Sequence, residues 1–235
     1  MALGSRGQII GIEGEAGIGK SRLAAEIIRQ AEERGMHGFA GQCQSYGTNT
    51  SYLVWRDIWN SFFDIDPNTS RKSKIKNIKR QLEDFSTGLS TRLPLLSSLL
   101  NIRIPDNSLT ENFDAKLRKS SLESLLVDCL RGRVKNAPLY IMLEDCHWLD
   151  PLSHDLVEVI GRAIFDLPVL LIVDFRPVDV SRGDQIKVSD LPQFTKFSLS
   201  QFSTKEAGQF IQFKLEEYMG SSGQVPASVV ENITR

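Results

Sequence analysis

The chain has 235 residues, of which 41% are hydrophobic and 24% charged, and its formal net charge is −1. These values are typical of a soluble globular protein with one sizeable core. A net charge near zero gives no overall attraction to nucleic acid or acidic membranes, so neither is an expected partner. The three cysteines are widely spaced, and no apolar stretch is long enough to span a membrane, so a reducing cytoplasmic location is expected.

A glycine-rich motif follows the first apolar run. Residues 8–12 predict a short buried strand, and residues 22–31 predict a helix with an apolar face. Between them, eight residues fit the pattern G-x-x-x-x-G-K-[ST]: Gly14, Glu15, Ala16, Gly17, Ile18, Gly19, Lys20 and Ser21. In such a loop the backbone N–H groups point at a polyphosphate, the lysine reaches the β and γ phosphates, and the serine hydroxyl is a ligand for Mg²⁺. The motif predicts a nucleotide-binding loop.

A mainly helical region is predicted after a second strand at residues 37–43. Residues 52–63 form a helix with an aromatic face, which favours core packing over a partner or base-stacking surface. Six of the ten residues in 71–80 are basic, and apolar residues at helical spacing among them favour one solvated helix face over a nucleic-acid contact. Residues 89–102 are predicted to continue as helix, and residues 114–134 form a strongly amphipathic one.

Two acids directly follow the apolar run 139–143, which predicts a buried strand. A nucleotide-bound Mg²⁺ needs oxygen ligands, and hydrolysis needs a group that orients or deprotonates the attacking water. We assign Glu144 to the magnesium and Asp145 to the water, although the two roles can be exchanged. Asp150 precedes Pro151 and is interpreted as the N-cap of the next helix rather than as a catalytic group.

Arg176 is a further candidate site residue, because it follows the buried strand predicted at 169–175 and lies at the same sheet edge. Its guanidinium is placed to contact the γ-phosphate and report its loss. For His147 and Trp148, packing and support of the acids both remain open. A last strand is predicted at 196–199, followed by a helix to about residue 219 that begins with a Ser203/Glu206 capping box.

Apolar strands that alternate with amphipathic helices predict an α/β fold with a mainly parallel sheet covered on both faces. We expect the three-layer sandwich of a P-loop NTPase, with a helical insert between the phosphate loop and the acidic strand end. Residues 1–200 would form the nucleotide-binding domain, with the insert at about 52–112. Residues 201–235 would be the truncated start of a following helical segment. Ligands of such sheets lie at the carboxyl ends of the strands, where the motifs fall.

Three segments resemble the nucleotide-binding module of STAND-class P-loop ATPases: 14–23, 144–151 and 175–177. More narrowly, residues 6–8, 52–55 and 114–130 are similar to the ATPase segment of multidomain bacterial regulators. Those regulators carry class III adenylate or guanylate cyclase domains or drive LuxR- and SARP-type transcription activation. The resemblance implies ATP and Mg²⁺ as ligands, the site residues named above, and Arg22 beside the loop as a further nucleotide contact.

The chain departs from that family at three places. Glu144 stands where the first acid is usually Asp, and only six residues precede Gly7, where the family has a Gly-Arg element. A Gly-Asn-Pro element expected after residues 229–235 is also missing, so we expect a fragment of a longer regulator. The leading hypothesis is an ATP switch with slow hydrolysis, bound to ATP or ADP and attached to sensor or output domains. A nucleotide-trapping scaffold without turnover and a P-loop phosphotransferase are the alternatives, and homo-oligomerisation stays open.

Overall fold

Five parallel strands form the sheet at the centre of the fold. The computed structural model describes residues 6–177 and 187–219. Within those ranges the strands are β1 Gln8–Glu13, β2 His37–Gln42, β3 Leu139–Glu144, β4 Val169–Phe175 and β5 Phe194–Ser198. Their order is β2-β3-β4-β1-β5, and every neighbouring pair runs parallel. The predicted parallel α/β sheet is therefore confirmed.

Helices cover both faces of the sheet. In the part of the chain up to β5 they are α1 Lys20–Glu33, α2 Leu53–Phe62, α3 Arg71–Phe85, α4 Leu96–Leu100, α5 Ala115–Arg133 and α6 Pro151–Ala163. A further helix, α7 Thr204–Met219, follows β5. On one face, α1 packs through a small cluster that includes Ala31 and Tyr140. On the other, side chains from α2 to α6 pack in one large core with alternate residues of the strands, such as Ile141 and Leu171. The result is the expected three-layer arrangement.

The region between β2 and β3 contributes the aromatic part of that core. Trp55 and Trp59 on α2 are both 0% exposed, so the prediction that this aromatic face packs internally is confirmed. On α3, Ile78 and Leu82 are buried while most of the basic residues are exposed. The basic run is thus one solvated helix face, as predicted.

Residues 89–102 differ from the continuous helix that the sequence predicts. Leu89–Leu95 forms a tighter 3₁₀ helix, and α-helical geometry begins only at α4. Pro94 lies inside the 3₁₀ segment, and because proline has no N–H it removes one backbone donor there. The last strand also begins earlier than predicted, at Phe194, and pairs with β1 along its length.

The chain divides into two compact units, Met1–Ser198 and Leu199–Arg235. In the second unit α7 begins with the predicted capping box. Ser203 N donates to Glu206 Oε2 at 2.8 Å, and Glu206 N donates to Ser203 Oγ at 3.3 Å. No helix in the described ranges is long and apolar enough to cross a membrane.

Candidate nucleotide site

Strand order brings the separate motifs of the sequence to one edge of the sheet. The glycine loop follows β1, the acid pair stands at the end of β3, and Arg176 follows β4. Because β4 lies between β3 and β1, the end of β4 separates the acids from the glycine loop. All strands run parallel, so these three ends meet at the same side.

The glycine loop adopts a backbone that glycine makes accessible. Gly17 and Gly19 have φ values of 78° and 109°, in the region that disfavours residues with a Cβ atom. No atom lies within 4 Å of a Cβ built at either position, so conformation rather than lack of space requires glycine there. Gly14 N is fixed to the sheet by donating to Phe175 O at 3.2 Å. The loop thus leaves β1 beside the end of β4 and leads directly into α1.

Lys20 is the buried cation of the loop. Its side chain is enclosed, with the residue 8% exposed, and its Nζ donates to Gly14 O at 2.9 Å and to Glu15 O at 3.0 Å. A phosphate oxygen would compete with those two carbonyls for the ammonium protons. Ser21 and Arg22, the next two residues of α1, are exposed.

The acid pair spans the end of β3 and the turn that leaves it. Glu144 is half-buried and lies in register with Gln42 of β2. Asp145 has a left-handed φ of 56°, which is uncommon for a residue other than glycine. Its Oδ2 accepts from Gln42 Nε2 at 3.2 Å. Sequence reasoning missed Gln42, whose only signal is its position at the end of the strand that neighbours the acids.

His147 lies against this site. Its Nδ1 is 4.0 Å from Asp145 Oδ1, and neither ring nitrogen has a hydrogen-bond partner among the described residues. Burial lowers the pKa of His147, and the positive charges of Arg176 and Lys20 act in the same direction while Asp145 opposes them. The imidazole therefore lies within electrostatic range of the loop lysine, the second acid and the arginine. Its neighbour Trp148 is 37% exposed, with the two ring centroids 5.0 Å apart.

Asp150 caps α6, as predicted, and does more. Its carboxylate accepts from Leu152 N at 3.1 Å and from Ser153 N at 3.0 Å, which are donors of the first helical turn. It also accepts from Tyr52 N at 3.1 Å, and it is only 4% exposed. Asp150 therefore joins the start of α2 to the start of α6, across 98 residues of sequence.

A third acid, Asp174 near the end of β4, was missed by sequence reasoning. It is 2% exposed, and its Oδ1 accepts from Asp145 N at 2.7 Å. Burial raises the pKa of Asp174 to about 6; the hydrogen bond from Asp145 N opposes this effect, the charges of Asp145 and Glu144 add to it, and the charge of Lys20 opposes it. The available signal was one charged residue inside the apolar run of β4. Among the described residues, no group of three or more His, Cys, Asp or Glu side chains is arranged to hold a metal ion.

A glycine loop with a buried lysine, opposite strand-end acids on a parallel sheet, defines a P-loop nucleotide-binding module. Comparison with known proteins agrees, since residues 2–172 match the AAA ATPase domain family. The chain belongs to that family. A curated relative, an uncharacterized protein of Rhizobium meliloti (strain 1021), is 27% identical over 180 residues, and the match covers 74% of this chain. The match spans only 17% of that relative's length.

Two solved structures illustrate the similarity to other proteins. The Orc1 protein of Aeropyrum pernix, in complex with DNA, has 15% identity and a TM-score of 0.42, over 89% of this chain and 44% of that one. Cdc6p of Pyrobaculum aerophilum also has 15% identity, with a TM-score of 0.43 over 97% of this chain and 48% of that one.

Proposed function

We propose that the chain is the ATP-binding switch module of a larger signalling protein and that it hydrolyses ATP slowly. The observation that carries this proposal is the strand order, which places the glycine loop, the acid pair and Arg176 at one edge of the sheet. A triphosphate held by the loop after β1 would extend toward the ends of β4 and β3. The switch consists of two domain arrangements, one favoured by ATP and the other by ADP.

The loop residues named above and Arg22 bind the nucleotide, the loop mainly through backbone N–H groups. Lys20 exchanges its two carbonyl partners for the β and γ phosphates. Asp145 orients the attacking water, and Arg176 contacts the γ-phosphate and senses its loss. The restraint of the Asp145 side chain by Gln42 supports this role, because a catalytic carboxylate must be held in place.

Mg²⁺ fits the donor chemistry of the site. The exposed Ser21 hydroxyl and the half-buried Glu144 carboxylate are hard oxygen ligands, and a nucleotide-bound Mg²⁺ needs only one or two of these from the protein. When bound, the ion neutralises charge on the phosphates. Glu144 is the longer homologue of the aspartate usual in STAND proteins, and it is the carboxylate assigned to this task.

The wider role rests on the resemblance to STAND-class regulators. We propose residues 1–200 as the nucleotide-binding domain, with a helical insert at about 52–112, and residues 201–235 as the start of a following helical segment. Attached sensor or output domains would read the nucleotide state in the cytoplasm, with no direct nucleic-acid contact. Since the match spans 17% of the curated relative, most of such a protein would lie outside this module.

Equilibrium binding and single-turnover hydrolysis of ATP, both with Mg²⁺, test the proposal. We expect Lys20→Ala to lose ATP binding and Asp145→Ala to bind ATP but not hydrolyse it. Lys76→Ala on the exposed face of α3 and Asp57→Ala on the exposed side of α2 are the matched controls. Unchanged affinity in Lys20→Ala would refute the binding site. Binding without turnover by the parent would instead identify a scaffold, and transfer to an acceptor other than water would identify a phosphotransferase.

A further inference from the structure

The buried carboxylate of Asp174 has no place in the roles assigned above. It is the sixth residue of the seven-residue strand β4, and Val173 and Phe175 on either side of it are also buried. Moving a carboxylate out of water is costly unless it finds charged partners or hydrogen-bond donors inside the protein. Asp174 therefore needs a partner, and that partner belongs to the proposed site.

The partner is the backbone N–H of Asp145, which directly follows the neighbouring strand β3. Asp145 N donates to Asp174 Oδ1 at 2.7 Å, the short distance typical of a charge-assisted hydrogen bond. This bond forms where the chain leaves β3, beyond the paired part of the strand, so no ladder partner takes the N–H. The Asp174 carboxylate therefore accepts the hydrogen bond of an N–H group that has no backbone acceptor in the sheet.

The conformation of Asp145 makes that bond consequential. Its φ of 56° lies in the left-handed region, which costs a residue with a Cβ atom about 1 kcal/mol or more. The next residues then form a short 3₁₀ helix, Cys146–Trp148, in which Trp148 N donates to Asp145 O at 2.9 Å. One peptide plane of Asp145 is thus held by Asp174 and the next by the 3₁₀ turn, so its side-chain direction is set by both.

The charged residues of the proposed site also act on the Asp174 carboxyl. The hydrogen bond from Asp145 N and the charge of Lys20 lower the pKa of the Asp174 carboxyl, while the charges of Asp145 and Glu144 raise it. A carboxylate in contact with the phosphates would repel them by its negative charge. Asp174 is therefore unsuited to contact the nucleotide. Its hydrogen bond instead supports the turn formed by residues 145–149, which we call the acid turn.

We propose that Asp174 is a positioning residue that holds Asp145 in its left-handed turn and so aims the Asp145 carboxylate at the attacking water. This inference rests on the proposed ATPase function for its catalytic consequence, but not for the hydrogen bond itself. What matters is the acceptor oxygen of residue 174. A substitution that keeps an acceptor should retain the geometry, and one that removes it should release the turn.

The test compares three variants of the full chain. Asp174→Asn keeps an acceptor oxygen, Asp174→Val removes it, and Leu170→Val changes packing four residues earlier on the same strand. The first readout is hydrogen exchange of the Asp145 amide. We expect slow exchange in the parent, in Asp174→Asn and in Leu170→Val, and exchange faster by roughly tenfold or more in Asp174→Val.

The second readout separates binding from turnover. Asp174→Val should bind ATP within about threefold of the parent but hydrolyse it about 10- to 100-fold more slowly, since only the orientation of the catalytic acid is lost. Asp174→Asn should recover most of that rate. Unchanged amide exchange in Asp174→Val, or an Asn variant as impaired as Val in both readouts, would overturn the inference.

The two proposals fail separately. A parent chain that does not hydrolyse ATP refutes the ATPase function, whereas amide exchange still decides whether Asp174 holds Asp145. Should Asp174→Val not fold, Asp174→Asn carries the test, since loss of protection at the Asp145 amide there contradicts an acceptor role.

Discussion

Replacement of Asp150 by alanine should destabilise the first unit far more than loss of an ordinary helix cap. The Asp150 carboxylate accepts the N–H groups of Leu152 and Ser153, and removal of such a cap costs about 1 kcal/mol. It also accepts the N–H of Tyr52, a residue that is 4% exposed, and the hydroxyl of the buried Ser153. Leaving a buried donor without its partner lowers the free energy of unfolding by roughly a further 1–3 kcal/mol. We therefore expect Asp150→Ala to lower the free energy of unfolding by about 3 kcal/mol.

The chain offers a matched control in Asp114, the N-cap of α5. Asp114 is exposed, and among the described residues its carboxylate accepts a single hydrogen bond, from Leu117 N at 2.7 Å. Asp114→Ala should therefore cost only about 1 kcal/mol. Asp150→Asn, which keeps one acceptor oxygen, should fall between the two alanine variants. The difference of about 2 kcal/mol between the alanine variants measures the buried contacts of Asp150 with Tyr52 N and Ser153 Oγ, beyond ordinary capping.

Urea unfolding followed by tryptophan fluorescence is the suitable assay. All three tryptophans lie in the first unit, and Trp55 Nε1 donates at 3.2 Å to the backbone oxygen of Ser153, the residue whose N–H bonds to Asp150. The signal therefore reports the unit in which the contacts lie. Equal destabilisation by Asp150→Ala and Asp114→Ala would refute the reasoning, because it would mean that the buried contacts with Tyr52 N and Ser153 Oγ contribute nothing.

Three further predictions follow from individual contacts. Lys20→Met should reduce ATP affinity at least about tenfold, measured by calorimetry, while the isosteric apolar stem keeps the fold intact. Gly7→Ala should cost about 1–3 kcal/mol in urea unfolding, since the added Cβ would lie 2.1 Å from the backbone oxygen of Ile164. Because the pKa of Asp174 is raised from 3.8 to about 6 in the folded protein, the parent should lose up to about 3 kcal/mol of stability as the pH rises between these values. Asp174→Asn should lack that loss, so parallel pH-dependence curves for the two proteins would contradict the prediction.

The parts of the fold that could be predicted from the sequence depend on neighbours in the chain. The strand, glycine loop and α1 were predictable because loop φ values and strand length are local properties. The Asp150–Pro151 start of α6 was predictable for the same reason, since a cap bonds to residues two and three positions ahead. The Trp55 and Trp59 face followed from helical spacing alone.

The parts that could not be predicted depend on which strands are neighbours. Apolar runs indicate buried parallel strands, but they carry no information on strand order. That order places β4 between β3 and β1, and only then does Asp174 become a neighbour of Asp145. The contact between Asp150 and Tyr52 is likewise long-range. The local pattern thus identified the strand that contains Asp174 and the helix that Asp150 caps. It did not identify the distant residue to which either carboxylate is hydrogen-bonded.

The acid turn is held at both of its ends by buried carboxylates. At its start, the N–H of Asp145 is accepted by Asp174, a residue of strand β4 in the central sheet. At its end, Asp150 accepts the N–H of Tyr52, which belongs to the start of the helical region after β2. The five residues from 145 to 149 are thus fixed to the sheet on one side and to α2 on the other. Because Asp145 also receives a hydrogen bond from Gln42 of β2, its position depends on three separate segments of the chain. The proposed catalytic acid is therefore placed by tertiary contacts, whereas the glycine loop is shaped by its own backbone.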